Sequence, residues 1–251
     1  MGEAVSETAL SIEGLTVRYG GFVALNEVSL SVPRGMMTAL IGPNGAGKTT
    51  CFNAICGFVR PNAGAVRVDG RQVRLGDPHV VWERGVARTF QRLELFWTLS
   101  VLDNLELAWR RARRVGRHPR SVEDLLAICG LGEVADRTTS TLPFGTCRVV
   151  ELARALATGA HILLLDEASS GLDRSETATF AELVRRARSE LDLSVLLVEH
   201  DMDFVMSLAE HIFVLDFGRL IARGAPAEIQ ASELVRRVYL GGDLMLEEVS
   251  P

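Results

Sequence analysis

The sequence predicts an α/β fold: a parallel sheet with an antiparallel β lobe at its front and a helical insertion within it. Three observations lead there. Short buried-type apolar runs at residues 37–41, 162–165 and 194–198 alternate with helical patterns, the mark of strands joined by crossover helices. Residues 9–32 alternate in short apolar stretches with period two, as on a half-buried sheet. From about residue 93 to 160 the spacing becomes helical before the sheet pattern resumes.

Along the chain, Leu10 and Ile12, then Leu15, Val17 and Tyr19, then Val28, Leu30 and Val32 supply the early alternation. Met37-Thr38-Ala39-Leu40-Ile41 is a near-continuous apolar run ending at glycine, as for a parallel strand covered on both faces. Asp69-Gly70 between alternating residues predicts a hairpin turn. Helical spacing covers residues 101–113, 121–129 and 147–157, with Ser121 ahead of an acidic pair as a helix start. Further helices are predicted at 175–189 and 202–209, a late hairpin turn at Asp216-Phe217-Gly218-Arg219, and short helices from Pro226 onward. The chain's 251 residues allow one large domain or two small ones.

The chain is 47% hydrophobic and 24% charged, enough for a sizeable core, and its net charge of −5 gives no electrostatic footprint for nucleic acid. The one basic run, residues 110–120, reads as a solvated helix end and loop. The opening MGEAVSETAL lacks the basic-then-apolar order of a signal peptide. No run approaches the roughly 18 apolar residues of a membrane span. Cys51, Cys56, Cys129 and Cys147 form no CxxC and no zinc spacing, so reduced thiols are expected.

Gly42-Pro43-Asn44-Gly45-Ala46-Gly47-Lys48-Thr49 fits G-x-x-x-x-G-K-[ST], with a buried strand before it and helix formers after it. Glycines let backbone N–H groups converge on phosphate oxygens, and the helix start adds donors and partial positive charge. Lys48 is placed to reach the β- and γ-phosphates of ATP and Thr49 to offer a hydroxyl to Mg²⁺. Asp166 ends a buried strand, where a carboxylate can hold Mg²⁺; Glu167 follows, pointing away from it, where it can polarise an attacking water. Gln91 precedes the helical insertion and can contact Mg²⁺ or that water, His200 stands at the carboxyl end of another buried strand, and Tyr19 can stack on adenine.

In this order the motifs resemble the ATP-binding subunits of ABC transporters over roughly residues 9–225. The resemblance implies a P-loop NTPase core with a mixed sheet, an antiparallel β lobe and an inserted helical subdomain. It implies a single domain over residues 1–251, with 1–92 and 161–225 as the sheet-bearing core and its β lobe, 93–160 as the helical subdomain, and 226–251 as a C-terminal tail. It makes residues 42–50, through Thr50, the Walker A motif, residues 162–166 Walker B, Glu167 the catalytic base, Gln91 the Q-loop glutamine, His200 the switch histidine and Tyr19 the adenine-stacking aromatic. Ala168-Ser169-Ser170-Gly171-Leu172-Asp173 matches the D-loop, with Ala168 where the family usually has proline.

Leu142-Pro143-Phe144-Gly145-Thr146 falls where the family carries its signature loop, which presses on the γ-phosphate bound by the other subunit of a head-to-tail dimer. Gly145 then belongs to the nucleotide site, with the helix predicted to begin near Thr146 behind it. A helix dipole there would lower the pKa of Cys147.

The Leu-Pro-aromatic-Gly pattern, Arg88-Thr89-Phe90-Gln91, Glu199-His200-Asp201-Met202 and Val238-Tyr239-Leu240-Gly241 look like the importers of branched-chain and other hydrophobic amino acids. That branch has glutamine where this chain has Thr146. Importers of urea or short amides, and a hydrolysis-weakened partner in a heterodimer, stay open as alternatives. The implied partners are transmembrane permease subunits, docking near Leu93-Glu94-Leu95-Phe96-Trp97, and a second ATP-binding subunit, identical or different. The implied location is cytoplasmic, peripheral on the inner face of the cell membrane. A soluble ABC-type ATPase acting on DNA or ribosomes is the rival, but those usually carry two ATP modules or a long coiled coil.

Overall fold

The period-two segment closes as an antiparallel hairpin of β1 (Thr8–Tyr19) and β2 (Phe22–Pro33), with Tyr19 opposite Phe22 at its tip. Its inward residues step by three between Ile12 and Leu15, and the structure absorbs this with a bulge: the register shifts there and Gly14 takes φ 58°. The extra residue keeps both leucine and isoleucine on the buried face. The computed structural model describes residues 7–244; the N-terminal segment before Glu7 and residues 245–251 of the expected tail lie outside them.

The buried run becomes β3 (Met37–Ile41), followed by α1 (Lys48–Ile55). β4 (Ala63–Val68) and β5 (Arg71–Gln72) flank Asp69-Gly70, both at positive φ (51° and 75°), the conformation a two-residue turn of this type requires. These strands complete a four-stranded antiparallel sheet, order β2-β1-β4-β5. A helix that the spacing does not predict, α2 (Pro78–Glu83), follows; its signal is local, Asp77 capping the His79 N–H and proline at the first helical position.

After β6 (Val86–Arg88) come α3 (Val101–Arg114), α4 (Val122–Cys129) and α5 (Phe144–Leu156), then β7 (Ile162–Asp166). The chain continues as α6 (Arg174–Leu191), β8 (Ser194–Val198), α7 (Met202–Leu208), β9 (His211–Asp216), β10 (Arg219–Gly224), α8 (Pro226–Ala231) and α9 (Glu233–Leu244). α6 starts at a full capping box between Asp173 and Glu176.

The second sheet has the order β10-β9-β3-β8-β7-β6, parallel except for the β9–β10 hairpin, so it is mixed as expected. Met37, Ala39, Ile41, Leu163, Leu165, Val195 and Leu197 pack on one face against the helices, including those of the insertion. Leu40, Leu164, Leu196 and Val198 pack on the other against α1 and the β lobe. Burial on both faces explains the near-continuous apolar runs. Among the described residues, no helix is long and apolar enough to cross a membrane.

Candidate nucleotide site

The loop between β3 and α1 is wedged between the β lobe and β9. Gly42 (φ 155°) and Gly47 (φ 107°) have no room for a side chain: a Cβ would lie 2.0 Å from the Leu215 carbonyl oxygen and 2.6 Å from that of Ala24. Ala46 is fixed by its N–H donating to the Pro43 carbonyl and by its own carbonyl accepting from the Gly218 N–H at 2.9 Å. The α1 N-terminus has no side-chain cap, so its first N–H groups remain for a ligand. Lys48, 5% exposed, donates through Nζ to the carbonyls of Gly42 (2.5 Å) and Pro43 (2.9 Å). Burial lowers its pKa, against the opposing pull of Glu167 and Asp166.

A cavity of about 310 Å³ opens on this loop, from Asn44 through Thr50, and is walled by Glu167, His200 and the β-lobe residues Phe22 and Ala24. Tyr19 is half exposed and is not part of that wall; its cross-strand partner Phe22 is.

Asp166 and Glu167 diverge at the end of β7. Asp166 is buried, and Arg88 donates to its Oδ2 at 2.5 Å while also donating to Asn53. Glu167 takes φ 49°, a conformation uncommon outside glycine, and its N–H donates to the Val198 carbonyl. The turn aims its carboxylate between two groups far apart in sequence: Gln91 Nε2 donates to Oε2 at 2.6 Å, and His200 Nε2 is 2.7 Å from Oε1. The predicted acid, amide and imidazole therefore meet beside the phosphate loop.

Four residues that sequence reasoning missed support them. Arg88 is the first. Glu199 is fully buried and accepts from both the N–H and the hydroxyl of Ser169, tying the segment after Glu167 to β8; burial raises its pKa, these bonds opposing. Arg148 and Glu151 on α5 grip the backbone around Gln91. Their i, i+3 spacing on a helix was a visible signal; their burial was not. Tyr239 of α9 also packs against the core; burial pushes its hydroxyl up to about 12, against a hydrogen bond with the Gly42 backbone.

The signature-like loop corrects two expectations. α5 begins at Phe144 after Pro143, not near Thr146, so Gly145 and Thr146 already lie in its first turn. Cys147 is 2% exposed, with Sγ near the carbonyls of Thr139 (3.5 Å) and Leu142 (3.8 Å), and burial raises its pKa. It sits on the inward side of the helix, where lost solvation outweighs the dipole. Gly145 lines a different cavity from Lys48, beside Thr146, Ser175 and Glu176. Phe96 and Trp97 are 49% and 43% exposed, so neither is core, and of residues 93–97 only Leu95 is buried. In the basic run, Arg117 departs from a solvated reading: it turns in to donate to the Trp82 and Thr158 carbonyls.

A family profile described as ABC transporter matches residues 25–170. The chain belongs to the ABC transporter family. A second profile, the branched-chain amino acid ATP-binding cassette transporter, matches residues 219–244. Among curated relatives, the high-affinity branched-chain amino acid transport ATP-binding protein BraF of Pseudomonas aeruginosa is 38% identical, over 94% of this chain and 99% of its own length. LivG of Escherichia coli, of the same description, is 36% identical over the same shares. Among solved structures, the ADP conformation of the ATP-binding cassette MJ1267 superposes with a TM-score of 0.84 at 27% identity, covering 94% of this chain and all of that one. CbiO1 of Clostridium perfringens, part of the cbiONQ complex, gives 0.80 at 27% identity over 96% and 99%. The fold is thus the ABC ATPase cassette, and the chain is a nucleotide-binding, transport-coupled ATPase.

Proposed function

We propose that this chain is the ATP-hydrolysing subunit of an importer for branched-chain amino acids, with residues 93–160 as its helical subdomain. The observation that carries the catalytic part is the Glu167 carboxylate bracketed by Gln91 and His200 at 2.6 and 2.7 Å beside the phosphate loop. In this reading the backbone N–H groups from Gly42 to Thr50 and the Lys48 ammonium hold the phosphates. Glu167 accepts a proton as water attacks the γ-phosphorus and the bond to the β-phosphate oxygen breaks, giving ADP and phosphate. Gln91 and His200 orient Glu167 and the water.

Thr49, Asp166 and Gln91 offer hydroxyl, carboxylate and amide oxygens, a hard-donor set that fits Mg²⁺; the ion would neutralise phosphate charge. Arg88 engages only one Asp166 oxygen, Oδ2. A stacking role against adenine is shared by the Tyr19–Phe22 tip, since Phe22 rather than Tyr19 walls the cavity.

Gly145, in the first turn of α5, is the contribution to a second subunit's γ-phosphate, and that subunit is identical or different. The permease docks on the groove of about 310 Å³ between Trp82, Phe96, Leu107 and Arg154, where Arg154 lies 5.5 Å from the Phe96 ring centre. In this reading the subunit is peripheral on the cytoplasmic face of the membrane. The branched-chain amino acid cargo is supported by the likeness to BraF and LivG and by the matched C-terminal profile. Co-expression with permeases encoded beside this chain tests the assembly: the wild type co-purifies with a multi-span protein, and a Phe96→Ser/Trp97→Ser variant does not, while keeping its own ATPase. Undiminished capture by that variant places the docking surface elsewhere.

A further inference from the structure

Arg148 is 3% exposed and Glu151 equally so, and together they hold both kinds of backbone group in one loop. Arg148 donates through Nη1 to the Phe90 carbonyl at 3.0 Å and through Nη2 to the Gln91 carbonyl at 2.7 Å. Glu151 Oε1 accepts from the N–H groups of Phe90 and Glu94 at 3.3 and 3.4 Å. The two side chains also pair, Arg148 Nη1 to Glu151 Oε2 at 3.2 Å. Arg148 Nη2 reaches further, to the Ser170 carbonyl at 3.3 Å, three residues past Glu167. Its guanidinium lies 5.2 Å from the ring centre of Phe144, and that ring abuts Gly171 so closely that a Cβ there would sit 2.7 Å away.

We infer that the Arg148–Glu151 pair is a positioning device that locks the Gln91 loop, the Ser170 segment and the first turn of α5 into one rigid unit. The inference rests on the proposed role of Gln91 at Glu167. Stability is a poor reason for such a pair. A buried ion pair returns little over apolar packing, burial pushes the Glu151 carboxyl up in pKa against the hydrogen bonds that oppose it, and Arg148 Nε is buried without a partner. Geometry is what the pair supplies: a planar guanidinium holds its five donors in a fixed fork that spans two loops, whereas an ammonium's three donors radiate from a single nitrogen. Gly145 lies in the same helical turn as Phe144, so a push on that turn from an opposing subunit reaches Gln91, and through it Glu167, without passing through a flexible segment.

Hydrogen exchange of the peptide covering residues 89–95 in the full-length chain, read with Tm, nucleotide affinity and kcat, tests this for Arg148→Lys and Arg148→Ala. Arg148→Lys keeps a charge opposite Glu151 and so guards against misfolding. It is expected to speed exchange in residues 89–95 and to lower kcat about tenfold, the scale of one lost charged hydrogen bond, with ATP affinity and Tm near wild type. Arg148→Ala is expected to do the same more strongly and to lower Tm. Unchanged exchange in Arg148→Lys overturns the proposal, as does full recovery of kcat by lysine. A fall in kcat that only tracks Tm and affinity overturns it too. Gln91→Ala is the control: if it hydrolyses at the wild-type rate, the Gln91 role fails, and the exchange data alone decide whether Arg148 holds the loop.

Discussion

The phosphate loop and the signature-like loop, each bearing glycine, are built on opposite terms. In the phosphate loop, Gly42 and Gly47 sit at positive φ with backbone carbonyls where a Cβ would go. No other residue satisfies both demands, so the chain's own packing dictates the sequence. Gly145 in the signature-like loop has helical backbone, and what a Cβ would meet is the carboxylate end of Glu176 at 2.5 Å, a side-chain end that can move, at the cost of its capping bond to the Asp173 N–H, where a backbone carbonyl cannot. Its neighbours Phe144 and Thr146 are accessible too. The first loop answers to its own fold; under the proposed function the second answers to a partner subunit. That difference is why the phosphate loop keeps its whole pattern while the other departs at Thr146.

The comparison breaks most severely at Lys48. Lys48→Ala removes the ammonium that the fold keeps buried, and turnover is expected to fall by about a hundredfold or more, the scale of losing a preorganised charge contact to phosphate. Equilibrium binding of labelled ATP, run with the hydrolysis assay, checks it; undiminished binding and turnover would sink the phosphate-loop reading. Glu167→Gln comes next. It keeps the volume and the bonds to its neighbours but cannot take a proton, so hydrolysis should slow by about 10² to 10⁴ with ATP affinity retained. Light scattering with MgATP should then report a dimer. A strictly monomeric variant turning over at the wild-type rate removes Glu167 from its role.

What was legible in the sequence divides along the same line. The phosphate loop and the Asp166-Glu167 pair could be read because their demands are local: positive-φ glycines, a strand end, a helix start. The buried runs gave the mixed sheet's parallel strands for the same reason. Arg88 on Asp166 and Arg148 on the Gln91 loop could not be read, because each joins residues 57 to 78 positions apart that meet only through the sheet order. The start of α5 was read near Thr146, two residues late, because the helical spacing is clear only from Cys147, while Pro143 already fixes the chain for a helix beginning at Phe144. Tyr19 was legible as a strand-end aromatic, but which member of the Tyr19–Phe22 pair faces the cavity depends on the hairpin's twist.

At the second loop the expected effects are smaller and sharpen the contrast. Gly145→Asp brings a negative charge against Glu176 and, in a dimer, against phosphate; activity should be lost while the isolated chain, whose Glu176 can rotate away, stays folded by circular dichroism. Thr146→Gln should raise ATPase activity. A side-chain hydrogen bond to a charged group is worth about 1.5–3 kcal/mol, or about ten- to a hundredfold in rate if made only in the transition state. Steady-state assays with the permease present provide the measurement. Full activity in Gly145→Asp would take the loop out of the site, and a neutral Thr146→Gln would make the threonine a tolerated variant.

The smallest expected effect is at Cys147, and it separates the loop's outer face from its inner one. Its thiol lies on the inner face, 2% exposed, and burial holds its pKa above the ordinary thiol value. Alkylation needs thiolate and access. Between the ordinary thiol pKa and the raised one, an unfolded chain has released this proton and the folded chain has kept it, so raising the pH through 9 should speed labelling of denatured protein and leave the native rate low. MgATP added to Glu167→Gln should change that native rate little, because the first turn of α5 already covers the sulfur before any second subunit arrives. Mass spectrometry of the peptide carrying Cys147 gives the rate. Fast native labelling that MgATP suppresses would mean that this turn opens in the free subunit, and that the loop which answers to a partner includes the helix start itself.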